Sequence, residues 1–463
     1  LLLVTAPAAL LAQEAGPTSQ GDVSVTIYNN DIALVQDVRQ LSIERGVSRI
    51  EFPDVSARIR PETVSFAAGG TSIVEQNFDF DLLSPAALMQ KAVGQVVTIV
   101  RTNPATGAET REQAKVLAVN GGTVLQIGNR IEVLRDDGLP VRVVFDRVPP
   151  NLRPRPTLSV TVDSDRAGTR PASLRYLTPG LSWKADYVAL FDSKAGKIDV
   201  QGWVTLTNGT GTTYSNAQTL LVAGEVNTSG GNGYSPYGSP YGRPQPGPIR
   251  SAGTETSKRE QLGDFYLYPL AARTTIADRQ TKQVSFLDVQ AVPAKAGYEY
   301  RNDWLNSVGE PQSFSSVVKF STSGDGGLGD ALPAGTVRFY MKDGSGAPQF
   351  IGENTVGHTP MGSELVLATG DAFDVKVQPV VEKRERLGDT RWRTTMRYDI
   401  SNAKAEAVTV DLTQAGLDWY RDDTRIVSES QPSKRRNSDS TVWTVTVPAN
   451  GRATVNAIFD TRY

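Results

Sequence analysis

From Val23 onward, hydrophobic and polar residues alternate with a period of two. Val23, Val25 and Ile27 interleave with polar residues before the turn-like run Tyr28-Asn29-Asn30-Asp31. The alternation resumes at 32–35 and again at 47–52, after Gly46. Such a pattern, bounded by Gly, Asn and Asp, predicts half-buried β-strands. The clearest strand pair starts at Leu174. Residues 174–177 lead into Pro179-Gly180, a type II turn pair. The next strand sets Trp183, Ala185, Tyr187, Ala189 and Phe191 on one face and Lys184, Asp186 and Asp192 on the other. Ile198, Val200, Val204 and Leu206 carry the pattern on to Asn208-Gly209, a hairpin signal.

Residues 84–148 read as a separate small unit. Ser84 caps a short predicted helix, with Pro85 at its first position and residues 86–93 as its body. Gly94 ends it. Five short strands are predicted at 96–101, 114–119, 124–127, 131–134 and 141–145, joined by tight turns rich in Asn and Gly. This is the pattern of a small SH3- or OB-like barrel. Residues 228–258 break the alternation. They are dominated by Gly, Ser, Pro and Tyr and hold nothing able to bury a core, which predicts a flexible surface loop.

The expected fold class is therefore all-β: multi-domain β-sandwiches with a small barrel insert and one flexible Gly/Tyr/Pro loop. At roughly 150 residues per domain, 463 residues suggest about three domains. The expected division is N-terminal strands at 16–83, the barrel at 84–148, a central sandwich region at 149–370 and a C-terminal sandwich at 371–463. Residues 1–15 open with an apolar Leu/Ala run, expected to be the remnant of a secretory signal peptide, so the protein is expected to be exported, to the periplasm or the cell surface. No later stretch approaches 18 consecutive apolar residues, so no membrane-spanning helix is expected.

Composition narrows the chemistry. There is no cysteine, which excludes disulfides, thiolate nucleophiles and cysteine-ligated metals in this chain. The formal net charge of -2 supplies no global attraction to nucleic acid. His358 is the only histidine, which excludes multi-histidine metal sites. It lies in a loop-like Gly357-His358-Thr359-Pro360 run, without a G-x-S-x-G turn to supply a nucleophile.

Several segments are similar to one known family. They are Tyr176-Leu177-Thr178-Pro179-Gly180-Leu181-Ser182-Trp183-Lys184-Ala185-Asp186-Tyr187, Leu220-Leu221-Val222-Ala223-Gly224-Glu225-Val226, Phe265-Tyr266-Leu267-Tyr268-Pro269, and Leu332-Pro333-Ala334-Gly335-Thr336-Val337-Arg338-Phe339-Tyr340. In this order, across residues 22–463, the chain resembles the family called domain of unknown function 4139, which includes mucoidy-inhibitor-like proteins. The resemblance implies an exported, β-rich protein with an envelope role linked to surface polysaccharide. It brings no catalytic residues with it. Mucoidy-inhibitor-like members carry a coiled-coil insert where this chain has its small barrel, so a function resting on the coiled coil does not transfer.

Five candidate sites remain, each beside a plainer reading. Arg391, Arg393 and Arg397 share one strand face, able to meet an acidic polysaccharide by bidentate contacts; the plainer reading is a charged outer face offset by nearby acids. Tyr234, Tyr237 and Tyr241 recur in the flexible loop, suited to adaptable contacts or belonging to an inert insertion. Asn77, Asp79 and Asp81, or Asp325 and Asp330, could serve calcium but lack the spacing of a calcium loop, so no metal site is expected. A carboxylate pair could run glycoside hydrolysis without His or Cys, with Glu225 and Glu353 the first acids to consider. A triad through His358 is the remaining enzyme reading. The expected function is a non-catalytic envelope or extracellular binding and scaffolding protein. It needs no cofactor, and its expected partner is an envelope polysaccharide or envelope protein. A carbohydrate-active hydrolase using a carboxylate pair is the alternative.

Overall fold

A computed structural model of the chain describes residues 18–79, 83–134, 141–149, 152–224, 249–255, 260–263, 265–418 and 423–462. The expected leader, Glu225, Tyr234, Tyr237 and Tyr241 lie outside the described residues. The fold is all-β, in several multi-stranded sheets. No helix among the described residues is long and apolar enough to cross a membrane.

The chain opens with β1 (Asp22–Tyr28), which pairs antiparallel with β2 (Ile32–Ile43) across the Asn29-Asn30-Asp31 turn. Then come β3 (Gly46–Pro53), β4 (Ser65–Ala68) and β5 (Thr71–Asp79). Phe52 of β3 and Phe66 of β4 are buried and meet edge to face, ring centroids 5.8 Å apart.

The small unit follows. Helix α1 (Pro85–Lys91) starts where expected: the Ser84 hydroxyl accepts the Ala87 N–H at 3.1 Å, and Pro85 takes the first position. Its five strands are β6 (Val96–Thr102), β7 (Glu109–Val119), β8 (Thr123–Ile127), β9 (Arg130–Leu134) and β10 (Val141–Val144). Their order is β10-β6-β7-β8-β9, all antiparallel. A four-strand meander with the fifth strand returning beside the first is the SH3-like arrangement, rather than the Greek key of an OB barrel. The unit has its own core around Ile99, Val116 and Leu125. One end is closed by an alternating ring of charge: Arg101 and Arg130 each bridge both Glu112 and Glu132.

β11 (Thr157–Ser164) returns beside β5, with Thr157 opposite Asp79, and its other side pairs with β3. The Leu83 N–H donates to the Arg153 carbonyl at 2.8 Å. The chain thus leaves and re-enters the sheet at one point, and the small unit is an insertion between two neighbouring strands. β12 (Gly168–Thr178) pairs along the whole of β2 and also with β4.

Next come β13 (Leu181–Asp192), β14 (Lys197–Asn208) and β15 (Tyr214–Ala223), which runs parallel to β1. The strand pair expected around Pro179-Gly180 does not form: β12 pairs with β2 and β4, and β13 lies in another sheet between β22 and β14. Asn208-Gly209 likewise leads from β14 to a strand of the other sheet instead of turning a hairpin. The next described strands are β16 (Ile249–Ser251), β17 (Gln261–Leu262), β18 (Phe265–Pro269) and β19 (Thr274–Ile276). The expected flexible loop reached residue 258, yet 249–255 are held in place. Ile249 pairs with Leu365, the Gly253 N–H donates to Ser363, and Glu255 accepts from the Gly324 N–H at 2.7 Å. Ile249, the apolar residue that follows the Gly/Pro run, makes the first of these pairings.

The remaining strands are β20 (Gln280–Asn302), β21 (Gln312–Ser321), β22 (Gly335–Lys342), β23 (Pro348–Val356), β24 (Glu364–Gly388), β25 (Arg391–Asn402), β26 (Val408–Gln414), β27 (Asp423–Glu429), β28 (Lys434–Arg435), β29 (Thr441–Val447) and β30 (Gly451–Arg462). Contacts divide the chain into two compact units. The first holds most of residues 1–183 with 206–222 and 269–282; the second holds 184–205, 223–268 and 283–463. The expected central region 149–370 is thus shared between the two. The expected boundary at 370/371 falls inside β24, which runs on unbroken from Glu364 to Gly388.

In the second unit one sheet runs β23-β22-β13-β14-β20-β21-β24-β25-β30-β27. Its C-terminal half faces β26 and β29 across a core that includes Val377, Tyr398, Leu412, Trp443 and Phe459. Tyr398 is fully buried, and its hydroxyl donates to Gln414 at 2.5 Å.

Candidate ligand-binding groove

The groove starts from the alternation along β13. Ala185, Tyr187, Ala189 and Phe191 are buried, so Val188 and Leu190 emerge on the opposite face. On β22, Val337 and Phe339 are buried, and Arg338 and Tyr340 therefore share that outer face. The parallel register sets Leu190 opposite Tyr340 and Val188 opposite Arg338. Next along, Phe350 of β23 stands opposite Tyr340, rings edge to face at 5.7 Å. On the other flank, Ile198 and Val200 of β14 are buried while Asp199 and Gln201 are exposed. Asp288 and Gln290 of β20 are exposed beside them.

Together these side chains line a groove of about 350 Å³. Its two halves differ in chemistry. Pro348, Tyr340, Leu190 and Val188 make an apolar half on β23, β22 and β13. Asp199, Gln201, Asp288 and Gln290 make a polar half on β14 and β20. A smaller hollow of about 190 Å³ shares Leu190 and Asp199 and extends the groove toward Lys197 and Lys342.

Two local devices hold this surface. Ala291 of β20 adopts a left-handed backbone, φ 59, directly after Gln290. Its N–H is taken by the Asp199 carboxylate at 2.8 Å. A left-handed non-glycine residue carries a steric cost, so the bond to Asp199 offsets strain at the groove's edge. Farther along the same face, Arg338 donates to Asp186 at 2.9 Å, Thr205 donates to the other oxygen of Asp186 at 3.1 Å, and Gln283 donates to Thr205 at 3.3 Å. The hydrogen bond to Asp186 raises the pKa of the Arg338 guanidinium above its ordinary value. This row cross-links β22, β13, β14 and β20 beside Tyr340.

Those residues singled out in the sequence that are among the described residues are placed elsewhere. Arg391 and Arg393 do share a face, but both are bound to Asp460 of β30. Arg397 bridges Glu382 and Asp399 at 2.6 and 3.0 Å. The hydrogen bonds from Arg393 and Arg391 hold the Asp460 carboxyl down at about 2. The three arginines are therefore engaged by acids of their own sheet. Glu353 is paired with Arg338 at 3.3 Å. His358 is exposed, and its Nδ1 accepts the Ala334 N–H at 3.2 Å, which ties the 357–360 loop to the segment before β22. Asn77 donates to Glu75, and Asp330 accepts its neighbour's Ala331 N–H. Among the described residues no group of three or more His, Asp or Glu side chains is placed to hold a metal.

The groove residues were not singled out, although the sequence carries a signal. The tripeptide Asp-Val-Gln occurs at 199–201 and again at 288–290, each time after an apolar residue. In a strand this spacing puts the Asp and Gln on one face with the valine behind. The two copies lie on neighbouring strands.

No family model matches the chain, and no curated protein matches it.

Proposed function

We propose that this chain is an exported, non-catalytic binding and scaffolding protein of the cell envelope or outer surface, and that the groove across β23, β22, β13, β14 and β20 is its ligand site. The observation that carries this reading is the division of the groove. One half is apolar and aromatic, and the adjoining half offers four polar side chains of only two kinds, carboxylate and amide. Concave sites with an apolar bed and a few convergent polar groups are the usual form of a ligand site. The resemblance to the exported family of unknown function supports the envelope placement.

The groove also keeps the hydrolase in view as a second reading, because Asp199 and Asp288 both line it. Glycoside hydrolysis needs two carboxyl groups flanking the scissile bond, one on each side of the sugar. Asp199 and Asp288 instead lie on neighbouring strands of one sheet face, with aliphatic and aromatic groups on the strands beside them. That favours holding a ligand over cleaving it.

The test is cosedimentation of the purified chain with isolated cell envelopes. Wild type is expected to be retained, and Tyr340→Ala to be released. Reversal of Arg391 and Arg393 to Glu is expected to leave retention unchanged if the variant folds. Retention that is indifferent to Tyr340 would remove the groove from the function. Release of reducing ends from envelope glycan by wild type, abolished in Asp199→Asn, would establish the hydrolase.

A further inference from the structure

We infer that the groove recognises a neutral glycan chain, by stacking a sugar ring on Tyr340 and bridging its hydroxyls with the paired Asp-Val-Gln side chains; this inference rests on the groove being the ligand site. A sugar ring presents two surfaces of opposite character. Its C–H faces are apolar and lie flat on aromatic or aliphatic groups. Its rim carries hydroxyls that both donate and accept. Tyr340, steadied by the Phe350 edge and flanked by Leu190 and Val188, supplies the apolar bed. The adjoining strands β14 and β20 supply planar groups in duplicate. A carboxylate accepts from two adjacent hydroxyls at once, and an amide accepts with one atom while donating with the other. Asp199 with Gln201, and Asp288 with Gln290, repeat that pair on adjacent strands. The steps of this lattice are about 4.8 Å across strands and about 6.8 Å between alternate residues. Those steps suit successive hydroxyls along a chain better than a single isolated group.

The same observations exclude other occupants. Two carboxylates on one wall repel a polyanion, so an acidic polysaccharide is disfavoured here. An extended peptide binds most readily by adding to a sheet edge, where unpaired backbone groups continue the ladder. This groove lies on a sheet face, and β13 and β14 already have strands on both sides. A ligand here meets side chains only, which suits a molecule whose recognition groups are hydroxyls.

The experiment is calorimetric titration of the folded full chain with neutral oligosaccharides (cellohexaose, maltohexaose and N-acetylchitohexaose), with oligogalacturonate as polyanion and oligolysine as polycation. At least one neutral glycan is expected to bind, and oligogalacturonate is not. Tyr340→Ala is expected to weaken binding tenfold or more. Gln201→Ala, at an exposed position that leaves the core untouched, is expected to weaken it about threefold to tenfold, the worth of one hydrogen bond. Binding of oligolysine in preference to every neutral glycan would overturn the inference, as would tight binding of oligogalacturonate or a neutral glycan bound equally well by both variants. If none of the glycans binds while envelope retention still depends on Tyr340, the glycan inference falls and the groove reading stands. If envelope retention is indifferent to Tyr340, both fall.

Discussion

Asp460 sits on the last strand with almost no exposure and takes both Arg391 and Arg393. Replacing it with Asn leaves two guanidinium groups sharing a weaker acceptor, and is expected to cost about 1–2 kcal/mol at neutral pH. The pH dependence has a definite sign. The folded carboxyl titrates near 2, held down first by the hydrogen bond from Arg393, whereas an unfolded Asp titrates near 3.9. Its contribution is therefore complete above about pH 5 and is lost as pH falls through the folded value. Denaturant midpoints of wild type and Asp460→Asn should differ at pH 7 and converge toward pH 2. A constant gap across that range would contradict the assignment. Ala291 gives the opposite expectation. Its left-handed backbone favours glycine, so Ala291→Gly should raise stability by about 0.5–1 kcal/mol in a urea melt. The arginine face was legible from i, i+2 spacing, but its acid was not: Asp460 lies 67 to 69 residues away in sequence, and alternation says nothing about which strand becomes the neighbour.

At the scale of elements, alternation located strands well because a half-buried strand must obey it. The strands of the small unit appeared within a residue or two of expectation, except β7. That strand extends back to Glu109 through polar residues that alternation cannot mark, because their inward positions are filled by a charge pair rather than by hydrophobes. The Arg101–Glu112–Arg130–Glu132 ring is the physical reason. Length was the other failure: β20 and β24 run for 23 and 25 residues, and a domain boundary was expected inside β24. The groove was missed for a related reason, since each Asp-Val-Gln looks like an ordinary outward face until the sheet order sets the two side by side. Close backbone approach fixes one further element. Gly352 of β23 has φ 148, and a Cβ there would overlap the Thr369 carbonyl of β24, while Asn354 donates to the Ala368 carbonyl at 3.1 Å. Gly352→Ala should therefore destabilise the second unit by about 2–4 kcal/mol, since a clash with the neighbouring backbone and a disfavoured φ add. A melting temperature within two degrees of wild type would refute this contact.

At the scale of the molecule, the small unit tests how far the chain is modular. It interrupts two strands that are direct neighbours, β5 and β11, and its two ends meet at the Leu83–Arg153 backbone bond. It has one sheet, one helix and one core, and among the described residues its strands pair only with one another. A domain of this size buries little apolar surface, so its own stability is expected to be about 3–5 kcal/mol at most. A fragment of residues 83–149 should therefore unfold in a single cooperative transition at low urea. Ile99→Ala removes a side chain with no exposure from its centre, and such truncations cost about 2–5 kcal/mol, which consumes most of that stability. The fragment carrying Ile99→Ala should then be unfolded at 25 °C. In the full chain the same substitution should lower only the transition belonging to the insertion, and leave the melting of the C-terminal core around Trp443 where it was. Tryptophan emission reports on the rest of the chain without a signal from the insertion, because residues 83–149 contain no tryptophan. Loss of the tryptophan-reported transition in full-length Ile99→Ala would show that the rest of the chain depends on the insertion, and a disordered wild-type fragment would show that the insertion depends on the rest of the chain; either result would overturn the modular reading.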